Sequence, residues 1–188
     1  LFKILNPGGR AEQQDAAEHF LSPKGQIFAV VADGVGGQSG GQMASQGCVD
    51  IAAKWWNHNL QHAADPQDFL KQYFQHSHNY LNKIANDTGT KPRAALVAVI
   101  IDGAQLWCAH SGDSRCYVIR GKSMVHRSLD HSVVQMLVHR GKISEDEMAT
   151  HPDKGRVLQA IGGDEFAEPE ITTHHLQPED RILLCSDG

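Results

Sequence analysis

Three aspartates occupy similar places in the sequence. Asp33 stands in VVADGVGG (Val30 to Gly37), Asp113 in LWCAHSGDSR (Leu106 to Arg115) and Asp187 in RILLCSDG (Arg181 to Gly188). Each follows a run that reads as a buried β-strand. A single Asp-Gly is an ordinary turn dipeptide, and Asp102-Gly103 takes that reading, as a two-residue hairpin turn. Asp33 and Asp187 lack a matching return strand, and Asp113 follows Gly112, which lets the backbone approach closely as the chain leaves the strand. Neighbouring strands lie about 4.8 Å apart, so carboxylates at adjacent strand ends repel in a partly buried cleft. Either their pKa values rise or a cation sits between them. Oxygen-only ligands select hard divalent ions, Mg²⁺ or Mn²⁺. One carboxylate can bridge two such ions about 3.5–4 Å apart, and a water between them becomes a nucleophile. Gly34, with no Cβ, leaves its carbonyl free to approach an ion. Such a centre suits an anionic substrate, which a fixed cation would grip. Arg10, in GGRAEQQDA (Gly8 to Ala16), offers the planar fork that fits phosphate oxygens. A surface arginine reads equally well from spacing alone.

The elements that would position these groups follow from periodicity. Residues 26–32 predict a buried strand, followed by a glycine-rich turn from Gly34 to Gly41. Ala44, Cys48, Ile51, Ala52 and Trp55 then share one helical face. Asp65-Pro66 opens a second helix with an N-cap and a proline in the first turn. Leu70, Tyr73, Phe74, Ser77, Leu81 and Ile84 form its inner stripe, and Asn86 to Gly89 ends it. Strands follow at 94–101, 105–110, 115–119 and to Arg127, joined by tight turns and therefore expected as antiparallel neighbours. A helix from His131 to Arg140 stops at Gly141. Ser144 to Glu147 reads as a capping box opening a short fourth helix. Strands at 170–176 and 181–186 complete the pattern, the last read as central and buried. Helices segregated from antiparallel strands make an α+β fold, not a doubly wound one.

Composition narrows the function classes. The 188 residues carry a formal net charge of -5, with 40% hydrophobic and 21% charged residues. This is one globular domain's worth of chain. No basic block points to nucleic acid, and no apolar run approaches the roughly 20 residues that span a bilayer. Asn6 to Arg10 reads as a turn rather than the apolar core of a signal peptide. The simplest location is the cytoplasm. Cys48, Cys108, Cys116 and Cys185 form no Cys-x-x-Cys pair and read as reduced apolar residues, with Cys108 and Cys116 able to face each other across a hairpin. The twelve histidines include no HExxH pair, and none is assigned to a site.

With these residues in place, the chain resembles the metal-dependent protein phosphatase family, type 2C, in its compact bacterial form. The resemblance rests on GGRAEQQDA, FAVVADGVGGQSGGQMAS, ALVAVI, LWCAHSGDSRCYVIRG, LDHSVVQMLVHRGKIS and DRILLCSDG. It covers residues 1–188 as a single catalytic domain. It implies two stacked antiparallel β-sheets flanked by helix pairs, with the metal site in a cleft at one end of the sandwich. It also implies hydrolysis of phosphoserine and phosphothreonine in proteins by water activated at two Mg²⁺ or Mn²⁺ ions, opposite a serine/threonine kinase. By the same resemblance Asp33 bridges both ions, Gly34 gives its carbonyl to the second, and Asp187 holds the first. Asp113 supports a third, weaker ion. Arg10 grips the substrate phosphate, Asp15 orients metal-bound water, and residues 141–161 form a flap beside the cleft. The family continues past the Ser-Asp-Gly at the end of this sequence and supplies a further metal aspartate there, so the domain is expected to be incomplete at its C-terminus.

Three departures stand out. Gln13-Gln14 replaces the usual Asn followed by Glu or Gln. Arg93-Ala94-Ala95 replaces Gly-Thr-Thr. Val35 stands where many eukaryotic members carry histidine. The competing readings are a catalytically impaired regulatory or binding module, and a metal-dependent nuclease or phosphodiesterase. Retention of Arg10, Asp33, Gly34, Asp113 and Asp187 speaks against the first, and the acidic balance against the second.

Overall fold

The computed structural model describes residues 1–6, 13–35, 37–59 and 65–187. Arg10, Gly36 and most of the turn expected at residues 6–10 lie outside the described residues. Among the described residues, eight strands form two antiparallel sheets. The first is five-stranded, ordered β1-β2-β3-β4-β7, from β1 (Asp15–Leu21), β2 (Ile27–Val35), β3 (Arg93–Asp102), β4 (Gln105–Ser111) and β7 (Glu170–His175). The second is three-stranded, ordered β6-β5-β8, from β5 (Arg115–Arg120), β6 (Ser123–Arg127) and β8 (Arg181–Cys185). Helices α1 (Gly37–Asn59) and α2 (Pro66–Thr88) pack on the first sheet, and α3 (Val133–His139) is short. The α+β class and the paired antiparallel sheets agree with the sequence reading.

Alternation along β3 explains its unbroken apolar run. Leu96, Ala98 and Ile100 enter the core beneath the helices, while Val97 and Val99 enter a second core. The first core centres on Phe28. It stacks on Trp56 at 5.4 Å and meets Phe69 and Tyr73 edge-on at 5.2 and 5.3 Å. Such offset and edge contacts are the favoured aromatic geometries. The second core lies between the sheets, where Leu106 and Cys108 meet Cys116, Ile182 and Leu184.

Helix α2 follows its sequence signals. The Asp65 carboxylate accepts from Gln67 N–H at 2.9 Å, and Gly89 closes the helix in the left-handed region. Other expectations need correction. Strand β1 has no counterpart in the sequence reading: it is a half-buried edge strand, and Glu18 and His19 obscure its alternation. Helix α1 begins at Gly37, inside the expected glycine turn. The reason is close packing: a Cβ on Gly34 would run into the Gly41 carbonyl oxygen, so glycines let the first turns of α1 rest on β2. The β3-β4 loop is Gly103-Ala104, one residue later than expected, since Asp102 pairs with Gln105. Helix α3 starts at Val133, with Ser132 Oγ accepting from Gln135 N–H at 3.2 Å. The Ser144 N–H does donate to the Glu147 carboxylate at 2.7 Å, but a single 3₁₀ turn at Met148–Thr150 follows in place of a helix.

Two corrections bear on the site. Strands β4 and β5 are not neighbours: the chain leaves the first sheet at Ser111 and enters the second at Arg115. Cys108 and Cys116 therefore meet between the sheets, as free thiols hydrogen-bonded to each other, and not across a hairpin. Gly112, with φ of 110°, makes the corner. A side chain there would be strained, and a Cβ would come within 2.5 Å of Ala95 Cβ. Strand β8 lies at the edge of its sheet with Leu183 half exposed, not centrally buried. Among the described residues, no helix is long and apolar enough to cross a membrane.

Candidate metal centre

Strand β2 runs on through Asp33 and Gly34, so Asp33 lies within the strand and not beyond it. Its Cα partners are Asp15 on β1 and Ala95 on β3. Directly opposed residues in an antiparallel pair carry Cβ atoms roughly 4.5–5.5 Å apart on one face. Phe28, Val30 and Ala32 point into the helix-side core, and Ala29 and Val31 pack against the core between the sheets. By that alternation, Asp33 faces the second sheet.

The second sheet answers with the end of β8. Ser186 Oγ donates to Asp15 Oδ2 at 3.0 Å, tying β8 to β1. Asp187 shares a side-chain hydrogen bond with Asp33. Two carboxyl groups can do so only if one keeps its proton. Burial, then the charges of Asp15 and Asp187, push the Asp33 carboxyl up to about 8. Asp113 comes from the corner between the sheets, 8% exposed like Asp33. Burial first, and Asp187 second, raise its carboxyl as well. The structure thus brings together Asp15, Asp33, Asp113 and Asp187. Of the expected site residues, only Arg10 lies outside the described residues.

The supporting contacts are specific. Gly34 N–H donates to the Gln14 carbonyl at 3.0 Å, and Gly34 is buried against Gly41 of α1. The Asp113 corner is braced by a two-bond ion pair, in which Arg115 Nε and Nη2 donate to Asp130 at 2.6 and 2.5 Å. That pair holds the Arg115 guanidinium firmly protonated.

A second cluster was not legible in the sequence. His110 on β4 pairs across the sheet with Glu170 on β7. His131, before α3, joins them, and one ligand-capable atom from each of the three lies within 4.8 Å of the others. The residues are far apart in sequence and show no ligand spacing. The register of β4 with β7 unites His110 and Glu170, and the contact of His131 with Gly112 adds the third.

The model of the family described as Protein phosphatase 2C matches residues 9–188. The chain belongs to the protein phosphatase 2C family. Protein phosphatase PhpP of Streptococcus pneumoniae is 29% identical over 182 residues, covering 95% of this chain and 74% of that protein. Serine/threonine phosphatase stp of Listeria innocua is 31% identical over 187 residues, covering 95% and 73%. The solved Streptococcus agalactiae serine/threonine phosphatase superposes with a TM-score of 0.86 at 29% identity, over 100% of this chain and 77% of that one. The catalytic domain of the phosphatase PstP, solved in complex with two manganese ions, gives a TM-score of 0.79 at 26% identity, over 95% and 72%. As a protein phosphatase 2C, the chain is a phosphoprotein phosphatase of the serine/threonine class, and this family membership agrees with the resemblance read from its motifs.

Proposed function

We propose that the carboxylate cluster is a two-ion Mg²⁺ or Mn²⁺ centre at which phosphoserine and phosphothreonine in proteins are hydrolysed. One observation carries this reading: Asp33 is buried among three other carboxylates, and burial first, then their charges, push its own carboxyl up to about 8. Such a group is either protonated or balanced by cations. The donor set is all oxygen, which suits hard divalent ions. A Cβ on Gly34 would run into the Gly41 carbonyl oxygen, so only a glycine fits where β2 beside Asp33 meets α1.

Asp33, the Gly34 carbonyl and Asp187 would hold the two ions, with Asp33 placed between the other carboxylates. Asp113 would hold a third, weaker ion. When bound, these ions lower the pKa of water enough to make it a nucleophile at neutral pH. The chain's own groups do the rest. Asp15, held by Ser186, orients the attacking water. Arg10 grips the phosphate oxygens. Val35, exposed beside the site, offers no proton to the leaving alkoxide, so that proton comes from solvent in the centre. The substrate is a phosphorylated protein, and the reaction opposes a serine/threonine kinase. Four free cysteines fit a reducing compartment, which we take to be the cytoplasm.

The test is turnover of a phosphothreonine peptide by the full-length protein, with and without Mn²⁺, beside Asp33→Ala. Metal-dependent turnover lost in a folded Asp33→Ala protein is expected. Wild-type turnover by that variant would remove the two-ion reading. Mn²⁺ binding without turnover in the wild type would make the chain a regulatory module.

A further inference from the structure

His131 is where three segments meet. Its N–H donates to the Gly112 carbonyl at 2.9 Å, and Gly112 N–H donates back to His131 Nδ1 at 3.3 Å. Its own carbonyl accepts from Leu158 N–H at 2.7 Å. The next residues continue the contact: Ser132 bridges to Val157, and Val133 N–H donates to the Arg156 carbonyl at 3.0 Å. On its far edge, His131 Nε2 lies 3.5 Å from Glu170 Oε2.

Gly112 needs such a partner. The β3-β4 ladder ends at the pair Leu96 and Ser111, so the next N–H has no strand opposite. A buried backbone donor left unpaired costs as much as a lost hydrogen bond. The imidazole Nδ1 takes that place. A ring nitrogen that accepts carries no proton, so the proton of neutral His131 sits on Nε2, facing Glu170. His110 stacks on the ring at 4.6 Å and 18°, and its own Nε2–H donates to the Leu129 carbonyl at 2.7 Å.

The same three side chains could be read as an ion site. The geometry opposes that. Lone pairs lie in the ring planes, and two nearly parallel stacked rings do not aim them at one point. His131 Nδ1 and His110 Nε2 are both already engaged.

We propose that His131 is a positioning residue. Its Nδ1 holds the Gly112 peptide, and hence the Asp113 carboxylate, while its backbone holds segment 156–158. Ion binding at Asp113 and the setting of that segment are thereby coupled through one residue. This rests on the reading of Asp113 as a metal ligand.

Three substitutions separate the possibilities in the full-length protein. The Asn Oδ1 can stand where Nδ1 stands, whereas the Gln carbonyl reaches only the Nε2 position. Mn²⁺ affinity is read by calorimetry, folding by urea melts, and the wild-type tautomer by ¹⁵N NMR of the imidazoles. His131→Ala and His131→Gln are expected to weaken the weakest Mn²⁺ step by about 10-fold or more, the scale for groups that orient a ligand. His131→Asn is expected to stay within about 3-fold of wild type. The wild-type ring should show its proton on Nε2. Equal losses in Asn and Ala, or a proton on Nδ1, would overturn the proposal. So would one equivalent of Zn²⁺ shifting the His110 and His131 signals together, which would make the cluster an imidazole metal site. Asp113→Asn serves as the separate check. If it leaves every Mn²⁺ step unchanged, Asp113 is not a ligand and the metal half of the proposal falls, while the tautomer still decides the hydrogen bond.

Discussion

Asp33→Asn is expected to stabilise the metal-free protein at neutral and alkaline pH while removing its response to Mn²⁺. The folded-state carboxyl sits at about 8, against an ordinary value of 3.8. Between those values the folded state binds more protons at this site than the unfolded chain does. The contribution to stability is therefore fully present below about pH 4 and is lost as pH rises through about 8. A tenfold change in proton affinity is worth about 1.4 kcal/mol. At pH 8 the nominal penalty is on the order of 5 kcal/mol. Part of that shift comes from the hydrogen bond with Asp187 and the charges around Asp33, and about 2–3 kcal/mol is the expected gain from a neutral isostere. For a chain of this size each kcal/mol moves Tm by roughly 2–4 °C. Melting in chelator should thus show the variant roughly 5–10 °C above wild type at pH 8, with a much smaller gap at pH 5. Saturating Mn²⁺ should raise the wild type and not the variant, since only the wild type gains binding energy in the folded state. A gap that stays constant from pH 5 to pH 8 would refute the reasoning, because it would show that Asp33 is not the group whose ionisation is suppressed.

Two further outcomes follow from the backbone and the bracing. Gly34→Ala drives a Cβ into the Gly41 carbonyl oxygen, so α1 must move; a stability loss above about 2 kcal/mol is expected, with phosphopeptide turnover not restored by excess Mn²⁺. Gly40→Ala, which meets nothing within 4 Å, is the matched control and should gain up to about 1 kcal/mol in urea melts. Asp130→Asn breaks the ion pair with Arg115. Because the Arg115 side chain is 30% exposed, the cost should fall below the range for fully buried pairs, at about 2 kcal/mol. A change within about 0.5 kcal/mol, the usual range for surface substitutions, would show that the pair does not brace the Asp113 corner.

What could be read from the sequence alone was local. Helix α2 is announced by Asp65, Pro66, its apolar stripe and Gly89, because capping and amphipathic periodicity act within a few residues. Strand β3 is announced by its apolar run, because burial on both faces needs no partner to be recognised. The carboxylates Asp33, Asp113 and Asp187 could be grouped because their residue type and their neighbouring Gly or Ser repeat along the chain. Everything decided by partners distant in sequence was hidden. Strand β1 escaped notice because an edge strand half in water keeps polar residues. The first turns of α1 looked like a loop because glycine disfavours helix, until the tight approach to Gly34 overrides that preference. The switch of sheets at Gly112 could not be inferred from turn length, which says how far a chain turns but not which strand receives it. The joining of His110, His131 and Glu170 depends on the strand register between β4 and β7 and on the contact of His131 with Gly112. The raised carboxyl of Asp33 depends on its burial, and then on the distance to three charges carried by other segments. Packing and electrostatics fall off over a few ångströms of space, whatever the separation along the chain, and so only the tertiary structure could decide them.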